Sequence, residues 1–359
     1  MPRLSAIDAI SPALQHMSAM LVRPFRFKTW LKIGFIAWLA GGAFGNFNVN
    51  VPSFPGGKGG GSGGIGEAGK DMVPFLRSWV HEHWPLIFLG AALIVALALV
   101  LVYLSSRFRF ILFDSILHKD AQIGRGWARY GRPAQEYFGF LISFLLISGL
   151  AIALIVGLPL WSAYQRGVFH SDDPFAIIGV MAPVILGVFV FAIVAAIIAS
   201  LANDFGVPLL ALDDMTIGGA WRALRHMIAA EPWAYAGYLG MKLVLSIAAG
   251  IVIAIAGIFI FLILLIPGVI AAIVGVALAK AAGPIVGIIL AVIGGLLVLA
   301  VTLFISMLLA APIGVFFTSY ALYFYGGRYP ALGALLWPQP VLPPLPPGFS
   351  TGVPAPQGN

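Results

Sequence analysis

Long apolar runs alternate with short charged stretches along the whole of this 359-residue chain. A helix needs about 20 apolar residues to cross a bilayer, and every run except the first reaches that length. The pattern predicts six membrane-spanning helices, at about residues 30–46, 85–104, 137–160, 175–201, 236–266 and 284–310. The expected fold is therefore all-α, a polytopic transmembrane helical bundle with its spans in three quasi-repeated hairpins and with interfacial amphipathic helices.

The segments outside the spans divide the chain into three parts. Residues 1–28 form a predicted N-terminal amphipathic segment, in which Ile10, Leu14, Met17 and Leu21 recur at helical spacing. Residues 29–328 form the transmembrane domain, which includes a Gly-rich, flexible loop at 47–70. Residues 329–359 are predicted to be a disordered, Pro-rich cytoplasmic tail.

A second amphipathic segment lies between the fourth and fifth predicted spans. Its apolar face, at i, i+4, i+7 and i+11, carries Ile217, Trp221, Leu224 and Ile228. Its other face carries Arg222, Arg225 and His226. Such a helix is expected to lie at the membrane surface. Asp213 and Asp214 directly precede it and are expected to start it as N-caps.

Residues 235–311 allow two interpretations. In one, the fifth span ends near 266 and an apolar loop or half-helix at 267–283 leads to the sixth span. In the other, a break at Gly257 gives three spans here and seven in total. The positive charges do not decide between the two, whereas internal repeats favour six.

The repeats consist of phrases that end the second span of each hairpin. They are R-F-R-F-I-L-F-D (107–114), D-F-G-V-P-L-L-A-L-D (204–213) and A-P-I-G-V-F-F-T-S-Y (311–320). The connector I-G-R-G-W-A-R-Y (123–130) also matches I-G-G-A-W-R-A-L (217–224), with Ile and Trp in register. Six spans follow if all three phrases lie on the same face of the membrane.

Composition restricts the class of protein. The chain is 61% hydrophobic and 9% charged, with a mean hydropathy of +1.02, whereas soluble domains carry roughly 25% charged residues. An integral membrane protein is expected, and an ordinary soluble protein is excluded. The chain has no Cys, which excludes disulfides and thiolate metal sites.

The distribution of positive charge predicts an orientation. A net charge of +7 would suggest nucleic acid for a soluble protein, but no nucleic acid is expected here. In the six-span arrangement, fifteen of the 20 Lys and Arg residues lie on the side of the N-terminus. The opposite side keeps Lys58, Lys70, Arg77, Arg166 and Lys280. Because basic residues collect on the cytoplasmic side, we expect a multi-pass protein of the bacterial inner (plasma) membrane with both termini cytoplasmic.

No catalytic residue, metal site or cofactor is predicted. The segment G-I-G-E-A-G-K-D (64–71) lacks the Ser or Thr that a P-loop needs after its Lys, and H-E-H (81–83) lacks the i, i+4 His pair of a metalloprotease. Aspartates recur near span ends, at Asp114, Asp120, Asp204, Asp213 and Asp214. Helix capping and pairing with arginines are favoured over a paired-carboxylate site. No acidic residue lies in the middle of a predicted span, which disfavours a charge-coupled carrier.

The interface candidates belong to the two matched connectors. They are Arg125, Trp127, Arg129, Arg132, Trp221, Arg222 and Arg225. Arginines on one helix face with Trp on another suit anionic lipid headgroups, and they equally suit ordinary anchoring on the cytoplasmic side. The expected partners are membrane lipids, anionic ones among them. A second copy of the chain or another membrane protein is an alternative partner.

The repeated phrases resemble a known membrane domain. The residues that carry the likeness are R-F-R-F-I-L-F-D-S (107–115), D-F-G-V-P-L-L-A-L-D-D (204–214) with G-G-A-W-R-A-L (218–224), and P-I-G-V-F-F-T-S-Y-A-L-Y-F (312–324). Over residues 14–328 the chain resembles the membrane domain of some bacterial glycerophosphoryl diester phosphodiesterases and its stand-alone relatives of unknown function. In those fusions the chemistry belongs to a soluble barrel that follows. This chain ends instead in a short Pro-rich tail, so no phosphodiesterase activity is expected.

Two hypotheses about function follow from the sequence. The leading one is a non-enzymatic integral membrane protein that organises lipid or docks a partner at the cytoplasmic leaflet. The alternative is a carrier or channel for a small phospholipid-derived or apolar solute. Internal repetition and half-helices around Pro267 and Pro284 would favour the alternative.

Overall fold

The structure is a computed structural model that describes residues 3–42, 65–168 and 174–337. The α-helices in these ranges are α1 (Ile10–Met17), α2 (Phe27–Ala37), α3 (Ile65–His118), α4 (Ile123–Arg129), α5 (Gly131–Gln165), α6 (Pro174–Leu201), α7 (Val207–Leu212), α8 (Ile217–Ala230), α9 (Pro232–Ala282), α10 (Pro284–Gly326) and α11 (Pro330–Leu336). Three π-helical segments, Ser18–Val22, Trp38–Gly42 and Ala202–Gly206, continue α1, α2 and α6. Two predicted irregular segments are partly helical, and the prediction is wrong there: residues 65–70 of the Gly-rich loop belong to α3, and residues 330–336 of the Pro-rich tail form α11 because Leu332 packs into the core. The rest of the loop and the tail beyond residue 337 lie outside the described residues.

Five helices in the described ranges are long and apolar enough to cross a membrane. They are Glu82–His118, Gly131–Gln165, Phe175–Leu212, Pro232–Leu278 and Ile285–Gly326. In the most apolar window of four of them no residue is buried, and in the third 11% of the window is buried. Surfaces of this kind suit lipid rather than water. The all-α class and a multi-pass membrane protein are confirmed.

The first predicted span, 30–46, is not among these five helices. Its described part is α2 with the π-helical segment Trp38–Gly42, and residues 43–46 lie outside the described ranges. Phe27–Gly42 has 16 residues, which reach about 24 Å at 1.5 Å per residue, less than the roughly 30 Å hydrocarbon core. This helix packs along α10.

The long helices run further than the sequence predicts. The second span is predicted to end near residue 104, but α3 continues to His118. The helix continues because Arg109 and Asp114 are 7% and 1% exposed and have partners inside the protein. A charged residue that is paired in the interior does not end a helix.

The α9–α10 hairpin contains neither of the breaks that the two interpretations of residues 235–311 place at Gly257 and Pro267. α9 has 51 residues and runs through both Gly257 and Pro267, so the expected breaks at these positions are wrong. A helix in lipid loses one backbone hydrogen bond at Pro267, whereas a loop would expose several unpaired groups. The chain turns at Gly283, whose φ of 95° suits glycine. α10 then begins at Pro284, a residue that fits the first helical turn.

The core lies at one end of the long helices, where the three repeated phrases meet. α3, which contains the first phrase, contacts both α7 and α10, and the π-helical segment Ala202–Gly206 also contacts α10. The phrases contribute fully buried aromatic side chains, which are Phe110, Phe113, Phe205 and Tyr320, and Phe324 and Tyr325 follow the third phrase in α10. Ring centroids lie 4.9 Å apart for Phe205 and Tyr325 and 4.6 Å apart for Tyr238 and Phe324. Such pairs add about 0.5–1.5 kcal/mol each beyond their burial.

The matched connectors both form helices. α4 begins at Ile123 and α8 at Ile217, the isoleucines that the sequence aligned. Burial follows the same register: Gly126 and Ala220 are buried, and so are Tyr130 and Leu224. The expected N-caps of α8 are wrong, because Thr216 is the N-cap and its Oγ1 accepts a hydrogen bond from the Gly219 amide. Arg222, Arg225 and His226 are exposed on α8.

His16 joins α1 to two other helices. Its ring nitrogens lie 3.1 Å from the Tyr323 hydroxyl and 3.1 Å from the Ile116 carbonyl oxygen. Burial, followed by the charge of Lys119, lowers the pKa of His16, so the neutral ring donates to the carbonyl and accepts from the hydroxyl. The buried face of α1 carries Ala13 and His16, whereas Leu14, placed on the predicted apolar face, is 46% exposed.

Candidate functional site

A cavity of about 680 Å³ lies beside the core, at the base of the α9–α10 hairpin. Its wall is formed by the end of α2, α3, the π-helical segment Ala202–Gly206 with α7, α9 and α10. One end of the wall is polar, and its side chains are Arg109, Asn203, Asp204 and Lys242. We call these four residues the polar end of the cavity. The remainder of the wall is mostly apolar.

Asp204 and Lys242 form a buried ion pair at the polar end. Their side chains are 5% and 19% exposed, and the Lys242 ammonium donates to Asp204 Oδ2. The same carboxylate oxygen accepts from the Tyr238 hydroxyl at 2.9 Å and from the Ser200 hydroxyl at 3.0 Å. Buried charges persist only when they are paired and hydrogen-bonded, and this carboxylate meets both conditions.

The position of Asp204 follows from the local sequence. Pro208 has no backbone N–H, so it cannot form the helical hydrogen bond to the carbonyl of residue 204. The chain passes through the π-helical segment Ala202–Gly206 at this point. Such segments are frequent at functional sites. Here the segment contains both Asn203 and Asp204, which line the cavity.

Arg109 is held by neutral oxygen atoms. Its Nε donates to the Ala40 carbonyl at 3.0 Å, and Nη1 donates to the Tyr137 hydroxyl at 2.7 Å and to Asn203 Oδ1. Ala40 lies in the π-helical segment Trp38–Gly42, which continues α2. The guanidinium therefore joins this segment to α5 and to the π-helical segment Ala202–Gly206, and Arg109 lines the cavity.

The apolar wall extends along α9 away from the polar end. The lining residues of α9 run from Lys242 to Ala254, a length of about 18 Å at 1.5 Å per residue. Ile247 and Ile251 belong to this wall and are 56% and 57% exposed. The cavity is thus open along the surface of a helix that is apolar enough to cross the membrane, and an apolar chain could enter from the side.

The interface candidate Arg125 lies against the core. Its Nη2 lies 3.0 Å from Asp114 Oδ2, and the Tyr130 hydroxyl donates to Asp114 Oδ1 at 3.0 Å. Burial, then the Asp114 charge, raises the pKa of Tyr130 to about 12, so this hydroxyl stays protonated. The expected pairing of span-end aspartates with cations is therefore seen at Asp114 with arginine and at Asp204 with lysine.

The other candidates lie on the surface or against aromatic rings. The Arg107 guanidinium lies 4.9 Å from the centroid of the Trp127 ring. The centroids of the Trp221 and Phe140 rings lie 5.9 Å apart. The exposed arginines are Arg129, Arg132, Arg222 and Arg225. None of these four forms an ion pair with a carboxylate among the residues that the structure describes.

The sequence alone does not indicate that the residues at the polar end of the cavity form a site. Arg109 and Lys242 contribute there only to the number of basic residues on one side of the membrane, and Asn203 is not among the predicted candidates. One signal was present: Lys242 is the lone charge near the start of the predicted fifth span, and an ionisable residue inside a span indicates function. Asp204 also lies within the span-length helix Phe175–Leu212, near its end rather than in its middle.

No group of three His, Asp or Glu side chains that could hold a metal ion occurs in the part of the chain that the structure describes. The side chain of His81 and residues 169–173, which include His170, Asp172 and Asp173, lie outside that part. The chemistry available at the cavity is therefore that of Arg109, Asp204 and Lys242 beside an apolar wall.

Architecture and cavity together define a multi-pass helical membrane protein with a charged cavity at the base of its long helices. The chain belongs to a family of unknown function, DUF7544, whose family model matches residues 4–335. No curated protein and no solved structure matches the chain.

Proposed function

We propose that this membrane protein binds an amphiphilic lipid in the cavity between α2, α3, α7, α9 and α10. The observation that carries the proposal is the division of the cavity wall into a charged end and an apolar length of about 18 Å along α9. A ligand that matches this wall has a polar head and an apolar tail. Pockets of roughly 300–1,000 Å³ are typical of specific ligand sites, and this cavity has a volume of about 680 Å³.

The exposed apolar wall supports entry from the bilayer. Ile247 and Ile251 line the cavity and also face outward, so a lipid tail in the membrane would meet the cavity without crossing water. The polar end lies near the core, where α8 and the connectors also lie. The head of the lipid would therefore stay at the level of the membrane surface while its tail follows α9.

A bulky side chain at Gly250 tests this proposal. Gly250 lines the cavity, and no atom lies within 4 Å of a Cβ built on it, so Gly250→Trp would fill the cavity without moving the backbone. We expect the full-length variant, extracted in mild detergent, to retain several-fold less lipid than the wild-type protein. Native mass spectrometry would count the retained lipids.

Gly257→Trp provides the matched control. Gly257 is also in α9 and also has open space around its Cβ, but it does not line the cavity. Retention of lipid in this variant should equal that of the wild-type protein. Equal retention in both Trp variants would show that the lipid is held elsewhere, and it would overturn the proposal.

We also propose that the chain has six membrane segments in three hairpins, with both termini in the cytoplasm of a bacterial cell. The element order supports this arrangement, since a short helix precedes two longer ones at α1, α4 and α8. Contact between the ends supports it further: Arg328 Nη1 donates to the Leu4 carbonyl at 3.0 Å, and Arg3 and Arg328 share Glu231. A reporter fused after residue 337 should read cytoplasmic, and a periplasmic reading would contradict the topology.

A second candidate function is the organisation of anionic lipid at the membrane surface. The exposed arginines Arg129, Arg132, Arg222 and Arg225 favour it, because their charge is available to headgroups. Replacing all four with Gln should reduce the preference for phosphatidylglycerol over phosphatidylcholine in nanodiscs, and more strongly at low salt. Arg166→Gln, on the predicted opposite side, is the control. An unchanged preference in the quadruple variant would exclude this role.

The likeness to the membrane domain of glycerophosphoryl diester phosphodiesterases stays a proposal of common ancestry. Each of the three phrases that carry it contributes residues to the same buried core, so the phrases have comparable places in the fold. No phosphodiesterase activity is proposed for this chain.

A further inference from the structure

We infer that the polar end of the cavity is a binding site for a phosphate group and that Arg109 is its principal ligand. The inference rests on the proposed function, because it names the chemical class of the lipid head. It depends on the charge balance around Arg109, which is independent of the shape of the apolar wall.

Arg109 is a buried cation with no carboxylate partner among the residues that the structure describes. The residue is 7% exposed, and its three hydrogen-bond acceptors are a carbonyl, a hydroxyl and an amide oxygen. Arg109 forms no ion pair with a carboxylate in the described ranges. Its Nη2 donates to no described group, although it lies beside the cavity. An isolated charge is costly to bury, so an additional anion would be stabilising here.

Asp204 does not neutralise Arg109. Its carboxylate is already paired with Lys242 and accepts from Tyr238 and Ser200. Asn203 stands between the two charged groups: its Oδ1 accepts from Arg109, and its Nδ2 lies 3.4 Å from Asp204 Oδ1. The cavity wall therefore holds two cations and one anion, and one positive charge is left for the ligand.

Two other arginines that contact the core have carboxylate partners. Arg125 pairs with Asp114, and Arg328 pairs with Glu231 at 2.9 Å. Arg109 differs from them in being more deeply buried and in facing a cavity. The planar guanidinium presents parallel N–H groups that match phosphate oxygens. Lys242 lies at the same end of the cavity and adds a second positive charge nearby.

The ligand class that fits is a phosphate-bearing amphiphile, such as a glycerophospholipid. A free phosphate ester shares the head-group chemistry but lacks the tail that the apolar wall would hold. The two sources differ in one respect that can be measured: the phospholipid needs both Arg109 and the apolar wall, whereas the soluble ester needs Arg109 alone.

The test compares three probes on delipidated full-length protein in detergent. The probes are phosphatidylglycerol, a diacylglycerol with the same acyl chains, and glycerol 3-phosphate. We expect wild-type protein to bind phosphatidylglycerol at least about tenfold more tightly than diacylglycerol, because charge-assisted hydrogen bonds form only with the phosphate. Arg109→Gln should remove most of this difference by weakening the binding of phosphatidylglycerol. Arg109→Lys keeps the positive charge but loses the parallel N–H groups of the guanidinium. This variant should therefore retain part of the difference in affinity between phosphatidylglycerol and diacylglycerol.

The outcomes separate the two proposals. Equal binding of phosphatidylglycerol and diacylglycerol to the wild-type protein would overturn the phosphate site and leave lipid binding in place. Failure of both lipids to bind, with glycerol 3-phosphate bound through Arg109, would overturn lipid binding and support a site for a soluble phosphate ester. Binding of none of the three would overturn both. The wild-type comparison stands even if Arg109→Gln fails to fold.

Discussion

Replacing Asp204 with Asn is expected to lower the free energy of unfolding by about 3–5 kcal/mol, because it leaves the Lys242 ammonium buried without its counter-ion. The two side chains are 5% and 19% exposed, so solvent does little to weaken their interaction. Tyr238 and Ser200 would at the same time lose a charged acceptor. Equilibrium unfolding in detergent micelles, followed by tryptophan fluorescence, would measure the loss.

A double-mutant cycle gives the control for this result. Lys242→Met alone leaves the carboxylate unpaired and should also be strongly destabilising. The double variant Asp204→Asn/Lys242→Met has neither charge of the pair, so its loss should be much smaller than the sum of the single losses. Additive losses would mean that the two side chains do not interact in the folded protein.

The second large effect is expected where α2 meets α10. A Cβ added to Gly34 would stand 2.4 Å from the Met307 carbonyl oxygen, and one added to Gly314 would stand 2.6 Å from the Ala37 Cβ. Neither neighbour is the end of a flexible side chain, so the helices must separate. Gly34→Ala should therefore cost about 1–3 kcal/mol, the usual range for overpacking, measured as a loss of thermal stability in detergent.

Gly257→Ala in α9 is the comparison for Gly34→Ala. An added Cβ at Gly257 meets no atom within 4 Å, and alanine is the better helix former. This variant should be as stable as the wild-type protein or slightly more stable. If both alanine variants behave alike, the close approach of α2 and α10 does not contribute to stability.

Much of the helical architecture could be read from local pattern. Apolar run length located the five long helices, and the alignment of Ile123 with Ile217 identified the starts of α4 and α8. Local capping was predicted less well. Asp213 and Asp214 suggested an N-cap by residue type, but Thr216 takes that position because its side-chain oxygen reaches the Gly219 amide.

The candidate site was largely hidden from the sequence. The three repeated phrases are separated by roughly a hundred residues each, and periodicity does not indicate that they pack together. Arg125 looked like an interface residue because its neighbours are surface arginines, but it pairs with the buried Asp114. The preference of basic residues for the cytoplasmic side assigns Lys242 to one side of the membrane. This preference carries no information on whether a cation has an acidic partner inside the fold.

The length of the α9–α10 hairpin has a consequence for the surrounding membrane. Residues 243–279 carry no charge and extend about 55 Å as a helix, whereas the hydrocarbon core of a bilayer is about 30 Å thick. This hydrophobic mismatch is relieved when the hairpin leans far from the membrane normal or when the adjacent bilayer thickens. Both responses deform the lipid next to the hairpin, so we expect the thickness of the bilayer to change the tilt of the hairpin.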